Sequence, residues 1–399
     1  MLLVDFGESA CKFALVKEHG KNLEVQKWGV EDIRSLEYAT EHVLEEVKGI
    51  DIDTVLLGLP STLWRSRILH ERIERKNTAL RIDLAEKKAI LDDLFSRARV
   101  SLAKHVQDSS GILPEDVHIH KLQILTYAID GYQVEDILGF EGQHMDVHIM
   151  AVFALVKHLP IVDNIIQRFS HMSCRIIHPA EALGSFSQEK SQNAIYVDIG
   201  DASCRIAVTQ GGRVAFVDEV GRGGKDFTLY LQEALSLGEN TAKDFKERYA
   251  SGDFSFPLRE EVKKGFALIA EDLVRLVDRS LVSASMLLPP SILLFGGSSK
   301  LPEVKEAFES SSFEGLAFHE KPRISFLLPE DLWTMEFPGK TNPIFTTLFF
   351  LPYAPYHYVN PISYNVENNM EAGIDDLREL RNFNKKLTQY DLENRTGLM

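Results

Sequence analysis

The chain has 399 residues, 44% hydrophobic and 26% charged, which is the balance of an ordinary globular protein with room for two or more cored domains. Its 59 acidic residues against 44 basic ones give a formal net charge of −15, a field that repels polyanions and excludes nucleic acid as the main partner. Three cysteines, Cys11, Cys174 and Cys204, form no CxxC pair and point to buried thiols in a reducing compartment, a bridge between the two repeat strands described below being the alternative.

In chain order, residues 2–16 predict a strand–turn–strand hairpin, and alternation over 22–28 adds a third strand. Helical spacing follows over 33–47, then a short buried strand over 54–59 that ends in Pro60-Ser61. Charge density rises between Trp64 and Val106, where 83–106 reads as a long amphipathic helix with Leu84, Ile90, Leu91, Leu94 and Ala98 on one side. Alternation over 117–125 and 145–155 gives strands, so 70–153 reads as a small helix-plus-sheet insertion. Helices over 159–169 and 179–186 flank a strand at 174–177. A second hairpin spans 194–208, with a strand at 214–217 and the loop Gly221-Arg222-Gly223-Gly224 after it. Helices are expected over 227–237, 240–249 and 262–286, then a strand at 292–295 that runs through Gly296-Gly297-Ser298-Ser299 into a helix over 301–308. After Pro352 the pattern gives way to Tyr-, Pro- and Asn-rich sequence, and a polar helix over about 374–392 closes the chain.

The two hairpins repeat each other. Aligned on Asp5 and Asp198, both read Asp-apolar-Gly, then an acid, two small residues, Cys, a basic residue, an apolar residue and Ala, a match over about ten positions. Turns of this kind bring backbone N–H groups close to phosphate oxygens, and a strand-end Asp can hold a hydrated metal ion. A third glycine turn at Gly296-Gly297, opening a helix, would let a purine lie against backbone. His118 and His120 share one sheet face beside Glu115 and Asp116; a solvated strand edge accounts for them better than a metal site, because their spacing matches no ligand set.

These three loops, in this order and separation, resemble the actin/chaperone/sugar-kinase superfamily, and most closely the FtsA-type actin-like cell-division proteins. The resemblance runs from Leu2 to about Leu351. It includes the segment 124–132 with its sequel 138–142, which is similar to the distinctive 1C insertion of that family, and Gly223-Gly224 followed by Lys246 and Tyr249. It implies an α/β actin-like ATPase fold with two lobes around a nucleotide cleft and an inserted small α+β domain. The lobes would be 1–69 with 154–190 and 191–225 with 290–352, the insertion 70–153, a helical subdomain 226–289 and a tail 353–399. Carried over by position, Asp5, Gly7 and Ser9 would form one phosphate loop and Asp198, Gly200 and Ser203 the other. Gly223 and Gly224 would face the nucleotide from the far half, Lys246 the ribose, and Gly296, Gly297 and Ser298 the adenosine. ATP with Mg2+ held by Asp5 and Asp198 is the implied cofactor, and Glu181 stands where relatives carry a water-orienting acid, although a helix-start Glu favoured by the helix dipole accounts for that position better.

The sequence departs from the family at Ala10, Asp201, Arg205 and Lys243. A carboxylate within about 4 Å of a phosphate charge costs roughly 4 kcal/mol at an effective dielectric near 20, so Glu8 and Asp201 would lower nucleotide affinity by orders of magnitude unless a divalent ion bridges carboxylate and phosphate, and the departures together imply slow hydrolysis at most. Lys12 and Arg205, four residues beyond each, are expected to neutralise those acids. By resemblance the protein would self-associate, link the tubulin-like FtsZ to the inner face of the cell membrane, and lie in the cytoplasm, as the absence of a leader before residue 2 also suggests. A pilus-assembly scaffold of the PilM type is the alternative. Ile374, Leu377, Leu380, Phe383, Leu387 and Tyr390 form one stripe of the tail helix, suited either to a membrane surface or to a protein face.

Overall fold

The computed structural model describes residues 1–20, 22–252, 259–336, 342–356 and 363–365. Among the described residues, 1–61 and 168–356 form one compact unit; 62–167 and 363–365 form the other. The strands are β1 (Leu2–Phe6), β2 (Ala10–His19), β3 (Asn22–Asp32), β4 (Thr54–Gly58), β5 (Arg65–Glu74), β6 (Val117–Ile129), β7 (Tyr132–Val134) and β8 (His144–Leu155). They continue with β9 (Ser173–Ile176), β10 (Ile195–Ile199), β11 (Cys204–Gln210), β12 (Arg213–Val220), β13 (Ser291–Phe295), β14 (Arg323–Phe326), β15 (Thr334–Glu336) and β16 (Ser363–Asn365). The longer helices are α1 (Leu36–Glu46), α2 (Leu84–Ser110), α3 (Leu159–Arg168), α4 (Pro179–Lys190), α5 (Gly224–Leu235), α6 (Glu239–Ala250), α7 (Arg259–Ser283) and α8 (Pro302–Ser310).

The first unit holds two sheets of the same design. One runs β15-β3-β2-β1-β4-β9 and the other β12-β11-β10-β13-β14. In each, an antiparallel meander of three strands is extended from its first member by two parallel strands. The central strands β1 and β10 are buried along their whole length, which explains their unbroken apolar runs. The registers coincide residue for residue: Asp5 pairs with Lys12 and Phe6 with Cys11, as Asp198 pairs with Arg205 and Ile199 with Cys204. Each turn closes through the same bond, Gly7 N–H to the Ala10 carbonyl at 2.9 Å and Gly200 N–H to the Ser203 carbonyl at 3.0 Å. A Cβ on either glycine would lie 2.9 or 3.0 Å from that carbonyl oxygen, so the closure requires glycine.

The core behind the second sheet joins Val197, Ile206 and Leu294 to Phe227, Phe266, Val277 and Phe308, with α5, α7 and α8 laid on it. The ring of Phe266 meets those of Phe227 and Tyr249 edge to face. Beyond β14 the chain returns to the first sheet, where β15 lies parallel to β3. The short helix Thr346–Phe350 that follows is wholly buried.

The second unit is an antiparallel sheet, β16-β6-β8-β5 with β7 beside β6, covered by α2. Asp83 caps α2 by accepting from the Glu86 N–H at 2.8 Å, and Gly111, in the left-handed conformation, ends it. Ile90, Leu94, Ala98, Leu102 and Val106 make its buried stripe, whereas Leu84 is exposed. Asp130-Gly131, both at positive φ, turn β6 into β7. Arg75, whose side chain is 1% exposed, ties the unit's rim together: it pairs with Glu86 and donates to the carbonyls of Leu80 and Gly142.

Several elements differ from the expectations above. The charged stretch after Trp64 begins with a strand, β5, before the helix. β14 and β15 carry too few residues to show a period. The tail stripe from Ile374 to Tyr390 lies outside the described residues. Cys11, Cys174 and Cys204 are free, and burial raises the thiol of Cys174 to about 12, so it stays protonated at neutral pH.

Candidate functional site

The twin turns converge. Ser61, just past β4, donates its hydroxyl to Glu8 Oε1 of the first turn at 3.3 Å, and its Oγ lies 3.4 Å from Ser203 Oγ of the second. One side chain thus touches both hairpins, so the turns that begin at Gly7 and Gly200 lie side by side within the first unit.

The strand-end aspartates Asp5 and Asp198 are 3% and 7% exposed. Asp5 Oδ2 accepts from Lys12 Nζ at 2.8 Å. Asp198 Oδ2 forms a short ion pair with Arg205 Nη2 and also accepts from Thr347 Oγ1 at 3.2 Å. The other carboxylate oxygen of each faces a glycine on the neighbouring parallel strand or its end. A Cβ on Gly58 would lie 3.0 Å from Asp5 Oδ1, and one on Gly296, at φ +89°, would lie 2.4 Å from Asp198 Oδ1. Burial opposes the Arg205 charge, but Asp198, Asp5 and Glu219 more than offset it and hold the guanidinium above its ordinary range. That Arg205 feels Asp5 as well as Asp198 brings the two halves of the repeat into one electrostatic group.

Lys12 and Arg205 were expected to neutralise Glu8 and Asp201; instead each neutralises the aspartate directly across its own hairpin. The reason is pleat geometry. Asp5 and Lys12 are register partners on one sheet face, at cross-strand contact distance. Asp201 takes a different cation: Lys246 Nζ lies 3.5 Å from its Oδ1 and donates to the Gly224 carbonyl at 2.9 Å. Burial lowers the Lys246 ammonium below its usual range, and Asp201 opposes that shift. Lys243 pairs one turn back with Glu239, at 3.0 Å.

The remaining predicted residues gather on the second turn. The carbonyl of Gly200 accepts from Gly224 N–H and from Ser298 Oγ, both at 2.9 Å, and the Asp201 carbonyl accepts from Lys225 N–H at 2.8 Å. The start of α5 therefore satisfies its first donors on the hairpin. A Cβ on Gly223 would stand 2.5 Å from the Asp201 carbonyl oxygen, and one on Gly224 2.3 Å from Ser298 Oγ. Gly297, by contrast, faces open space. Ser9 sits at the first turn, where its carbonyl accepts from Ile33 N–H at 2.9 Å.

Glu181 serves the start of the helix α4. It is 4% exposed and caps α4: Oε2 accepts from the His178 N–H at 3.0 Å, while His178 Nδ1 accepts from Ala180 N–H at 3.1 Å. His118 is buried and so does not stand on a solvated edge, while the half-buried His120 ring packs 4.6 Å from Trp64. Among the described residues no three His, Cys, Asp or Glu side chains group as a metal would need. Sequence reasoning missed Ser61, Gly58 and Thr347, whose roles arise from contacts far along the chain.

A divalent ion does not fit the two aspartates as they stand. Each has one oxygen in an ion pair and the other against backbone, whereas Mg2+ asks for free carboxylate oxygens in near-octahedral geometry.

Two sheets of one design, each presenting an Asp-apolar-Gly turn to a shared cleft with a Gly-Gly turn beside it, define the actin-like ATPase fold. No family model and no curated protein sequence matches the chain. Among solved structures it is similar to a chain of the PilM-PilN type IV pilus biogenesis complex, at 15% identity and TM-score 0.65, covering 88% of this chain and 98% of that one. Lower-scoring likenesses include a glycerol dehydratase reactivase, at 10% identity and TM-score 0.45 over 88% and 99% of the two chains. Another is the ethanolamine utilization protein EutJ from Carboxydothermus hydrogenoformans, at 16% identity and TM-score 0.34 over 48% and 59%.

Proposed function

We propose that the chain is an actin-like assembly scaffold of the PilM kind, which holds a nucleotide without appreciable hydrolysis and grips a short peptide of a partner protein. The observation that carries the non-hydrolytic part is the pairing of both strand-end aspartates, Asp5 with Lys12 and Asp198 with Arg205, where an ATPase needs carboxylates open to a metal. The likeness to the PilM chain along nearly its whole length supports the scaffold part.

The FtsA-type role is the second reading, in which the chain self-associates and links FtsZ to the inner face of the cell membrane. The insertion motivates it, with its single helix laid on an antiparallel sheet. Among the described residues no helix is long and apolar enough to cross a membrane.

Pulldown with immobilised peptides separates the two. Retention by the N-terminal peptide of a PilN-type partner and not by an FtsZ tail peptide is the expected result. Retention by the FtsZ peptide alone replaces the pilus reading with the division one. Absence of both interactions, with ATP turnover above background, overturns the scaffold reading in favour of an enzyme.

A further inference from the structure

We propose that the cleft takes a phosphate-bearing ligand, of the nucleoside diphosphate or triphosphate class, without any divalent metal, the Lys12 ammonium and the Arg205 guanidinium donating hydrogen bonds to its phosphate oxygens where a metal ion would otherwise bind. The inference rests on the reading of the cleft as a nucleotide site and adds how that site manages charge.

Three observations carry it. First, the substitution of cation for metal is made twice, at the same register position of both repeats, and in both the second carboxylate oxygen is pressed toward a glycine. Opening either aspartate to a metal would break a buried ion pair and leave a charged group uncompensated.

Second, the cations are not exhausted by their partners. Lys12 bonds only Asp5 through one of its three donors, and Arg205 uses Nη2 on Asp198. Among the described residues, the Nε and Nη1 of Arg205 and two donors of Lys12 meet no protein acceptor. The two side chains keep 27% and 14% of their surface exposed. Asp5, Lys12, Asp198 and Arg205 sum to zero charge, and guanidinium and ammonium donors are the side-chain groups best suited to phosphate oxygens.

Third, the acids near the two turns each have a partner or water. Glu8 receives the Ser61 hydroxyl, Asp201 is held by Lys246, and Glu219, beside Arg205 on β12, is exposed and screened by water.

Calorimetric titration of the full chain with ADP, once with Mg2+ and once with excess EDTA, tests the inference, with adenosine as the phosphate-free control. The expected result is an ADP affinity equal in both buffers to within about twofold and at least about tenfold above that of adenosine. Lys12→Gln should lower ADP affinity toward the adenosine value while Lys12→Arg preserves it; circular dichroism confirms that both fold. Should Lys12→Gln not fold, Arg205→Lys serves as the second variant, expected to keep metal-free binding at reduced affinity. ADP binding more than about tenfold tighter with Mg2+, ADP no tighter than adenosine, or no nucleotide binding in either buffer overturns the inference. The partner-peptide pulldown is read independently, so a scaffold with an empty cleft is told apart from a failed scaffold reading.

Discussion

Ser61 Oγ and Ser203 Oγ, 142 residues apart in sequence, lie 3.4 Å from each other, and Ser61 also donates to Glu8. The cleft is thereby bridged by one hydroxyl at its turn end. Ser61→Ala removes the bridge without leaving a buried charge, so its effect on global stability should stay near 1 kcal/mol. Its local effect should be larger. Hydrogen exchange at residues 7–10 and 200–203 is expected to speed up in the variant, with the buried amides of β1 and β10 unchanged; equal exchange in both turns would show that the bridge does not hold them.

The Asp198–Arg205 pair invites a double-mutant cycle. Arg205→Leu strands the Asp198 carboxylate, which is largely buried, and should cost about 3–5 kcal/mol in urea unfolding. Adding Asp198→Asn removes the stranded charge and should recover a substantial part of that loss. The Asn amide can still accept from Thr347. Additive effects of the two substitutions would mean that the pair is not coupled in the folded chain.

The twin hairpins were legible because they depend on local counting. Gly7 pairs back to Ala10, so two residues outward on each side Asp5 must face Lys12, and the same arithmetic joins Asp198 to Arg205. The partners of Lys12 and Arg205 could have been read from that register; proximity in sequence to Glu8 and Asp201 was the wrong guide. β5 escaped notice because its buried residues, Leu69 and Ile73, stand four apart, a spacing that serves helix and strand alike. Its charges pair across strands instead, Arg72 with Asp146 and His70 beside His148. Ser61 and Thr347 left no trace in the sequence, since a hydroxyl gains its role only when distant chain returns to it.

Gly296 and Gly297 look interchangeable in the sequence, and the structure separates them. Gly296 sits at φ +89°, with Asp198 Oδ1 and the Ile199 carbonyl oxygen at 2.4 and 2.6 Å from any added Cβ. Gly296→Ala should therefore lose at least about 2 kcal/mol from conformational strain and displacement of the aspartate. Gly297→Ala meets nothing within 4 Å and should change stability by no more than about 0.5 kcal/mol. Thermal melts of the two variants side by side measure the contrast, and equal melting points would deny the close approach of Gly296 to Asp198.

His178 gives the chain an acid liability. Burial pushes its imidazole down to about 3 from an ordinary value of 6.5, with the Glu181 carboxylate opposing and Arg205 assisting. The unfolded chain therefore binds a proton below about pH 6.5 that the folded chain refuses until about pH 3. Stability from this group is complete above the unfolded value and is lost as the pH falls through that window, at about 1.4 kcal/mol per pH unit. Between pH 7 and pH 5 the contribution amounts to about 2 kcal/mol. His178→Asn keeps a helix-capping acceptor but does not titrate. Urea unfolding at the two pH values should show the parent losing about 2 kcal/mol more than the variant. Identical losses would mean that the imidazole is protonated in the folded chain, and the Ala180 N–H bond to Nδ1 would then have to be absent.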